Sequence, residues 1–138
     1  MDTQKEVIVI TGGAGGIGTA CAINFKNKHL IITDYSQEMV NKAVENLVID
    51  GFTVTGIACD ITDKKDVEKL KRFVSVNGSF KALVHTAGVS GAVHDLKKIF
   101  TIDLVATEIL IDAFYELVNE NSVAVLLSSM MAHTIPPN

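Results

Sequence analysis

Five short apolar runs, rich in β-branched residues, alternate with stretches of helical spacing along this chain, and that alternation limits the fold more than any other feature. Residues 7–10, 29–33, 52–58, 80–85 and 122–127 read as strands, the first two of them buried. Between them, Ile17, Ala20, Cys21, Ile23 and Phe25 recur at near-helical spacing, which predicts a helix from Gly16 to about Asn27. Ser36 is a plausible N-cap for a second helix through Val40, Val44 and Leu47 that stops before Gly51. Thr62 or Asp63 caps a third helix carrying Val67, Leu70 and Val74, and Gly78 closes it. A long fourth helix is predicted over 96–119, apolar on nearly every side. Strands that alternate with helices over short connections pair in parallel, because each crossover returns the chain to the same end of the sheet. A chain of 138 residues without internal repeats or linkers is expected to form one domain over 1–138.

The composition narrows the partners. Nearly half the residues are apolar, a fifth are charged, and the net charge is −4 with Arg72 as the sole arginine, so a nucleic-acid partner is not expected. Lys64 and Lys65 stand among Asp63, Asp66 and Glu68, which reads as a solvated helix face. Cys21 and Cys59 are too few for a disulfide framework and read as two reduced, buried thiols. No stretch reaches the length of a membrane span and no basic leader opens the chain, so a cytoplasmic location and no membrane partner are expected. His29, His85, His94 and His133 lack ligand spacing, so no metal is expected.

Five glycines fall within residues 12–18, directly between the first strand and the first helix. Such a turn lets the backbone approach a pyrophosphate, while the helix start offers unpaired N–H groups. Two registers fit: Gly13-x-Gly15-x-x-Gly18 and Gly12-x-x-x-Gly16-x-Gly18. Asp34 closes the second strand, at the place from which a carboxylate accepts hydrogen bonds from ribose hydroxyls. A Walker A loop is excluded, because Gly18 is followed by Thr19-Ala20 and not by lysine. The stretch Thr33-Asp34-Tyr35-Ser36-Gln37 holds no base to meet a 2′-phosphate, which favours NAD over NADP.

These residues resemble the short-chain dehydrogenase/reductase family. The likeness rests on Thr11-Gly12-Gly13-Ala14-Gly15-Gly16-Ile17-Gly18, which selects the Gly12, Gly16, Gly18 register, on Asp34, and on Cys59-Asp60-Ile61-Thr62 after the third strand. It continues through Leu83-Val84-His85-Thr86-Ala87-Gly88, Thr101-Ile102-Asp103-Leu104-Val105-Ala106-Thr107 and Val123-Ala124-Val125-Leu126-Leu127-Ser128-Ser129. The resemblance implies an α/β, Rossmann-like doubly wound parallel sheet of about five strands, order 3-2-1-4-5, with helices on both faces. It implies NAD binding by Gly12, Gly15, Gly16, Ile17, Gly18, Asp34, Tyr35, Asp60, Ile61, Thr86, Ala87 and Gly88, with Asp60 and Ile61 at the adenine. It also implies hydride transfer between the nicotinamide and a secondary alcohol or carbonyl, with Ser129 on the substrate.

Departures are equally informative. Thr86 stands where the family has asparagine, and one hydroxyl cannot reproduce both ends of an amide. Asp103 occupies the position of the family's catalytic asparagine. The family's Tyr-x-x-x-Lys pair is absent: Tyr35 has Met39 four residues on, and Tyr115 has Asn119. A lysine beside the tyrosine lowers its pKa enough for proton transfer, so without the pair the chain is expected to be inactive. It is accordingly expected to be the cofactor-binding portion, truncated relative to the family. The alternative is a non-catalytic NAD-binding sensor or partner module. In the family the helix matching 96–119 packs on a second subunit, which implies a homo-oligomer.

Overall fold

The computed structural model describes residues 4–90 and 93–129. His133 and Pro136-Pro137 lie outside the described residues, as do Gly91 and Ala92 of the turn after β4. The elements are β1 (Glu6–Thr11), α1 (Gly16–Ala22), β2 (His29–Asp34), α2 (Gln37–Ile49), β3 (Thr53–Ala58), α3 (Lys64–Asn77) and β4 (Ser79–His85), followed by α4 (Leu96–Phe100), a π-helical segment (Thr101–Val105), α5 (Ala106–Tyr115) and β5 (Val123–Leu126). All pairings are parallel, as the alternation implies, and the order is β3-β2-β1-β4-β5, as the resemblance implies.

Strand period places the odd and even residues of β1 on opposite faces, and both faces are covered. Val7 and Val9 pack with Ile31, Leu83, α3 (Val67, Leu70, Val74) and α5 (Ala106, Leu110, Phe114). Ile8 and Ile10 pack with Leu30, Ile32, Val84, Ala22 of α1 and Leu47 of α2. Burying a Leu, Ile or Val side chain contributes roughly 1.5–3 kcal/mol, and the central strands do so on both sides. The Phe80 and Phe114 rings meet at 5.4 Å in a tilted pair, fastening α5 to β4. The register aligns Thr11 with Thr33 on one side and with His85 on the other, so the ends of the three central strands share one rim. The chain leaves β1 toward β2 and later returns to its other side at β4, and the crevice of an open α/β sheet forms at such a reversal.

Two helices end earlier than their spacing predicts. α1 stops at Ala22 rather than near Asn27, because the Asn24 side-chain amide donates to the carbonyls of Ala20 and Cys21 and takes over the last turn. The helix predicted over 96–119 ends at Tyr115 and is interrupted by the π-helical segment. Beyond it, Asn119 donates from its side chain to Phe80 O at 3.0 Å and accepts at its carbonyl from Ser122 N at 3.0 Å, a turn that leads the chain toward β5. Ser36 and Asp63 do cap α2 and α3, accepting from the amides of Met39 and Lys65. Cys21 is half-buried rather than buried, whereas Cys59 is buried. Both are free thiols.

Close packing of α2 on β3 is set by Gly56, where a Cβ would lie 2.5 Å from Val40 Cγ1 and 2.8 Å from Val44 Cγ2. Both neighbours are β-branched and stiff. Gly56→Ala is therefore expected to cost about 1–3 kcal/mol, read as a lower urea midpoint at unchanged slope. A midpoint equal to the parent's would mean that α2 has room to move.

Candidate functional site

Two backbone turns meet where β1 and β4 end. Gly12 has a φ of +64°, and a Cβ there would fall 2.6 Å from Ala87 N and 2.8 Å from Ala87 Cα. Both the conformation and the space demand glycine. The Thr86 hydroxyl, standing at the position where an asparagine was expected, donates to Thr11 O at 2.7 Å and Gly12 O at 3.3 Å, while its amide donates to Thr11 O. One hydroxyl thus ties the two turns. At Gly18 a Cβ would lie 2.3 Å from Gly12 O, so this glycine lets α1 begin directly beneath the turn. Around Gly16 nothing lies within 4 Å of such an atom. Gly15 is the N-cap of α1 and supplies no side chain, leaving first-turn N–H groups without a side-chain partner.

The neighbouring strand ends add carboxylates. Asp34 accepts from Ala14 N at 3.3 Å and Tyr35 N at 2.9 Å, which points its carboxylate across the glycine turn. Asp60 accepts from both the amide and the hydroxyl of Thr62, an Asx turn that shapes the segment after β3. Burial, followed by the nearby Asp66, Asp60 and Asp63, pushes the Cys59 thiol up to about 12, so it is an inert apolar wall.

A cleft of about 870 Å³ opens over this rim. Of the residues singled out in the sequence, Gly12, Gly15, Asp34, Tyr35, Asp60, Ile61, Thr86, Ala87 and Gly88 line it. Gly16, Ile17, Gly18, Asp103 and Ser129 are not among its lining residues. Gly18 is covered by the turn, Ile17 is exposed on α1, and Ser129 is exposed beyond the end of β5. Asp103 sits in the π-helical segment and accepts from Val89 N at 2.8 Å, bracing the loop just past Gly88. Sequence reasoning missed Met39, Lys97, Lys98, Thr101 and Ile102, which line the cleft from α2, α4 and the π-helical segment. The two lysines bring positive charge to the cleft that holds Asp34, though neither belongs to the β2 end where a base was sought. Thr33 also lines the cleft, and its Oγ1 is the one buried side-chain polar atom without a hydrogen-bond partner among the described residues.

Beneath the rim lies a buried polar bridge. His85 Nδ1 is 2.6 Å from Thr11 Oγ1, and Nε2 is 3.0 Å from Thr107 Oγ1. Burial lowers the His85 pKa from its ordinary value, with Asp103 opposing more weakly. His29 is lowered in the same way, mainly by burial, and its Nε2 lies 3.0 Å from Thr55 Oγ1 at the opposite end of the sheet.

Among known proteins, the family model described as short chain dehydrogenase matches residues 6–135. The short-chain dehydrogenase/reductase bsc3 of Alternaria brassicicola is 27% identical over 134 residues, 96% of this chain and 48% of its own length. The crystal structure of gox2181 superposes with a TM-score of 0.86 at 26% identity, covering 97% of this chain and 57% of that one. A short chain dehydrogenase/reductase from Burkholderia phymatum, solved in complex with NAD, shares the fold with a TM-score of 0.74 at 20% identity, covering 85% of this chain and 45% of that one. The chain thus spans about half the length of these relatives. Among the described residues no helix is long and apolar enough to cross a membrane.

The glycines separate by steric demand. Gly18→Ala is expected to lower the thermal midpoint of the unliganded chain by several degrees, since the added methyl would overlap a backbone carbonyl. Gly16→Ala, with open space, should hold or slightly raise it. Equal effects of the two in a melting experiment would contradict this reading of the turn.

Proposed function

The chain belongs to the short-chain dehydrogenase family of oxidoreductases, whose members use a nicotinamide cofactor, and from that premise we propose that it binds NAD in preference to NADP in the cleft over the β1 and β4 turns. The observation that carries the reading is the convergence in one cleft of Gly12, Gly15, Asp34, Asp60, Ile61, Thr86, Ala87 and Gly88, drawn from the ends of four strands. The residues present suit such a cofactor. Where Gly12 and Gly18 stand, any side chain would collide with backbone, and the N–H groups at the start of α1 are uncapped. In this reading the glycine turn, with Gly16 and Ile17, receives the pyrophosphate, Asp34 beside Tyr35 accepts from the adenosine ribose, and Asp60 with Ile61 borders the adenine. When bound, the nicotinamide ring supplies the hydride acceptor or donor.

The carboxylate of Asp34 supports NAD, because a 2′-phosphate in place of the ribose hydroxyl would meet a like charge at close range. Lys97 and Lys98 stand in the same cleft but belong to α4 and not to the end of β2. The substrate class carried over from the resemblance is a secondary alcohol or carbonyl, and the same resemblance assigns Ser129, beyond the end of β5, to the substrate. Asp103 is assigned to bracing Val89, beside the place where the nicotinamide end would lie. Residues 1–138 are proposed to act as one cofactor-binding domain, which binds but does not turn over. Neither tyrosine has the paired lysine that would make it a proton donor.

Calorimetric titration of the chain with NAD+ and with NADP+ tests the assignment. NAD+ should bind more tightly, and Asp34→Asn should weaken NAD+ by about tenfold, the worth of a charge-assisted hydrogen bond, while narrowing the gap to NADP+. A folded chain that binds neither would end the cofactor reading, and tighter NADP+ binding would reverse the preference. A homo-oligomer through 96–119 belongs to the same reading, supported by exposed Phe100, Leu104, Ile111 and Tyr115. Sedimentation should show dimers or larger species at micromolar concentration, and a strict monomer would remove that part.

A further inference from the structure

The bridge built on His85 has a fixed hydrogen-bond polarity. Thr107 Oγ1 donates its single proton to Asp103 O at 3.2 Å, so toward His85 it accepts, and Nε2 carries the ring proton. Nδ1 is then the acceptor for the hydroxyl of Thr11, a side chain fully buried. The reverse arrangement would leave the Thr11 proton without an acceptor. From end to end, the line runs from Thr11 through His85 and Thr107 to the carbonyl of Asp103, whose carboxylate in turn holds Val89 N. Thr86, next along the chain, holds Thr11 O and Gly12 O. Three walls of the cleft therefore hang on one imidazole: the glycine turn, the Thr86–Val89 turn and the π-helical segment.

We infer that His85 is a positioning residue for the dinucleotide, its neutral Nε2–H imidazole holding those three walls in the arrangement that binds. The inference rests on the cofactor reading above, because it names what keeps that site in shape. The groups facing His85 are few. β1 presents Thr11, the helical side presents Thr107 and Asp103, and on β5 the paired residue is Leu126. Asp103 is the charged one. A proton added at Nδ1 would make the ring the donor toward the Thr11 hydroxyl and leave the hydrogen of that buried hydroxyl without an acceptor among the described residues, which weakens the bridge. Since burial holds the pKa of His85 below its ordinary value of 6.5, the neutral form prevails at and above neutrality, and the bridge weakens only as the pH falls below that value.

NAD+ titrations of the full chain between about pH 8 and about pH 5 test this with two variants. Glutamine carries one acceptor and one donor at its tip and never titrates, so His85→Gln should keep the parent's affinity near neutrality. It should also abolish the fall in affinity that the parent shows on the acid side. His85→Leu removes both bonds and should weaken NAD+ on the order of tenfold at every pH. Amide exchange of unliganded protein at fixed pH gives a readout independent of ligand, and the leucine variant should release Val89. Should the leucine variant fail to fold, the glutamine profile still decides. An acid fall retained in His85→Gln, or parent-like binding by a folded His85→Leu, overturns the inference while leaving the cofactor reading standing. Absence of NAD+ binding by the folded parent overturns both.

Discussion

At the carboxyl ends of β1 and β4, two backbone turns approach until no side chain fits between them, and the rest of the site follows from that contact. Gly12 adopts a left-handed conformation within 2.6–2.9 Å, at its missing Cβ, of Thr86 and Ala87 backbone atoms. Gly18 lets α1 start directly under the Gly12 carbonyl. Thr86 then closes the junction with its hydroxyl. If the turns stood farther apart, β1 and β4 could still pair, but α1 would begin elsewhere and Asp34 would no longer reach Ala14 N. The cleft is the space left above a junction that is itself packed solid.

Supporting this junction requires a sheet that does not yield, and the two covered faces supply it. The central strands bury Val7, Val9 and Ile31 on one side and Ile8, Ile10 and Ile32 on the other. Interiors packed at crystal density transmit displacement rather than absorb it. A shift of α3 or α5 against β1 therefore reaches the rim. The His85 bridge lies on the α5 side, continuing the row of Val7, Val9 and Thr11, so the same face that carries the larger apolar cluster also carries the polar line to Asp103.

Much of this was legible in the sequence, for physical reasons that differ by element. The central strands were visible because a strand buried on both faces must be apolar throughout, and parallel pairing followed from the alternation with helices, while the strand order came from the family resemblance. Gly18 and Asp34 were visible because spacing from a strand end decides where a residue stands, whereas the register that includes Gly12, and the place of Asp60, came from the family resemblance. The helix ends were not, because the Asn24 side chain takes over the last turn of α1, and Asn119, bonded to Phe80 O, ties the segment after α5 to β4; helical periodicity encodes neither bond. Nor were Lys97, Lys98 and Ile102, which come to the cleft from a helix far along the chain. His85 passed as a histidine without ligand spacing, and its partners Thr11 and Thr107 are distant in sequence and meet it only in the fold. The π-helical segment leaves no mark in composition, although hydroxyls at Thr101 and Thr107 that bond back to Lys97 O and Asp103 O are of the kind that bends a helix.

Three polar side chains, Thr11, Thr33 and His85, stand at adjacent strand ends under the cleft, each buried. Burying a hydroxyl costs free energy unless a partner replaces water, and Thr11 and His85 answer each other. Thr33 Oγ1 does not, though it stands beside Thr11 in the register and lines the same cleft. An apolar residue there would avoid the cost, and the three residues before it in β2, Leu30, Ile31 and Ile32, are of that kind. Proteins retain local violations of this kind mainly where a site needs them. The unsatisfied hydroxyl is thus a second, independent mark of the cleft, one that owes nothing to the glycine turn and points to the same rim of the sheet.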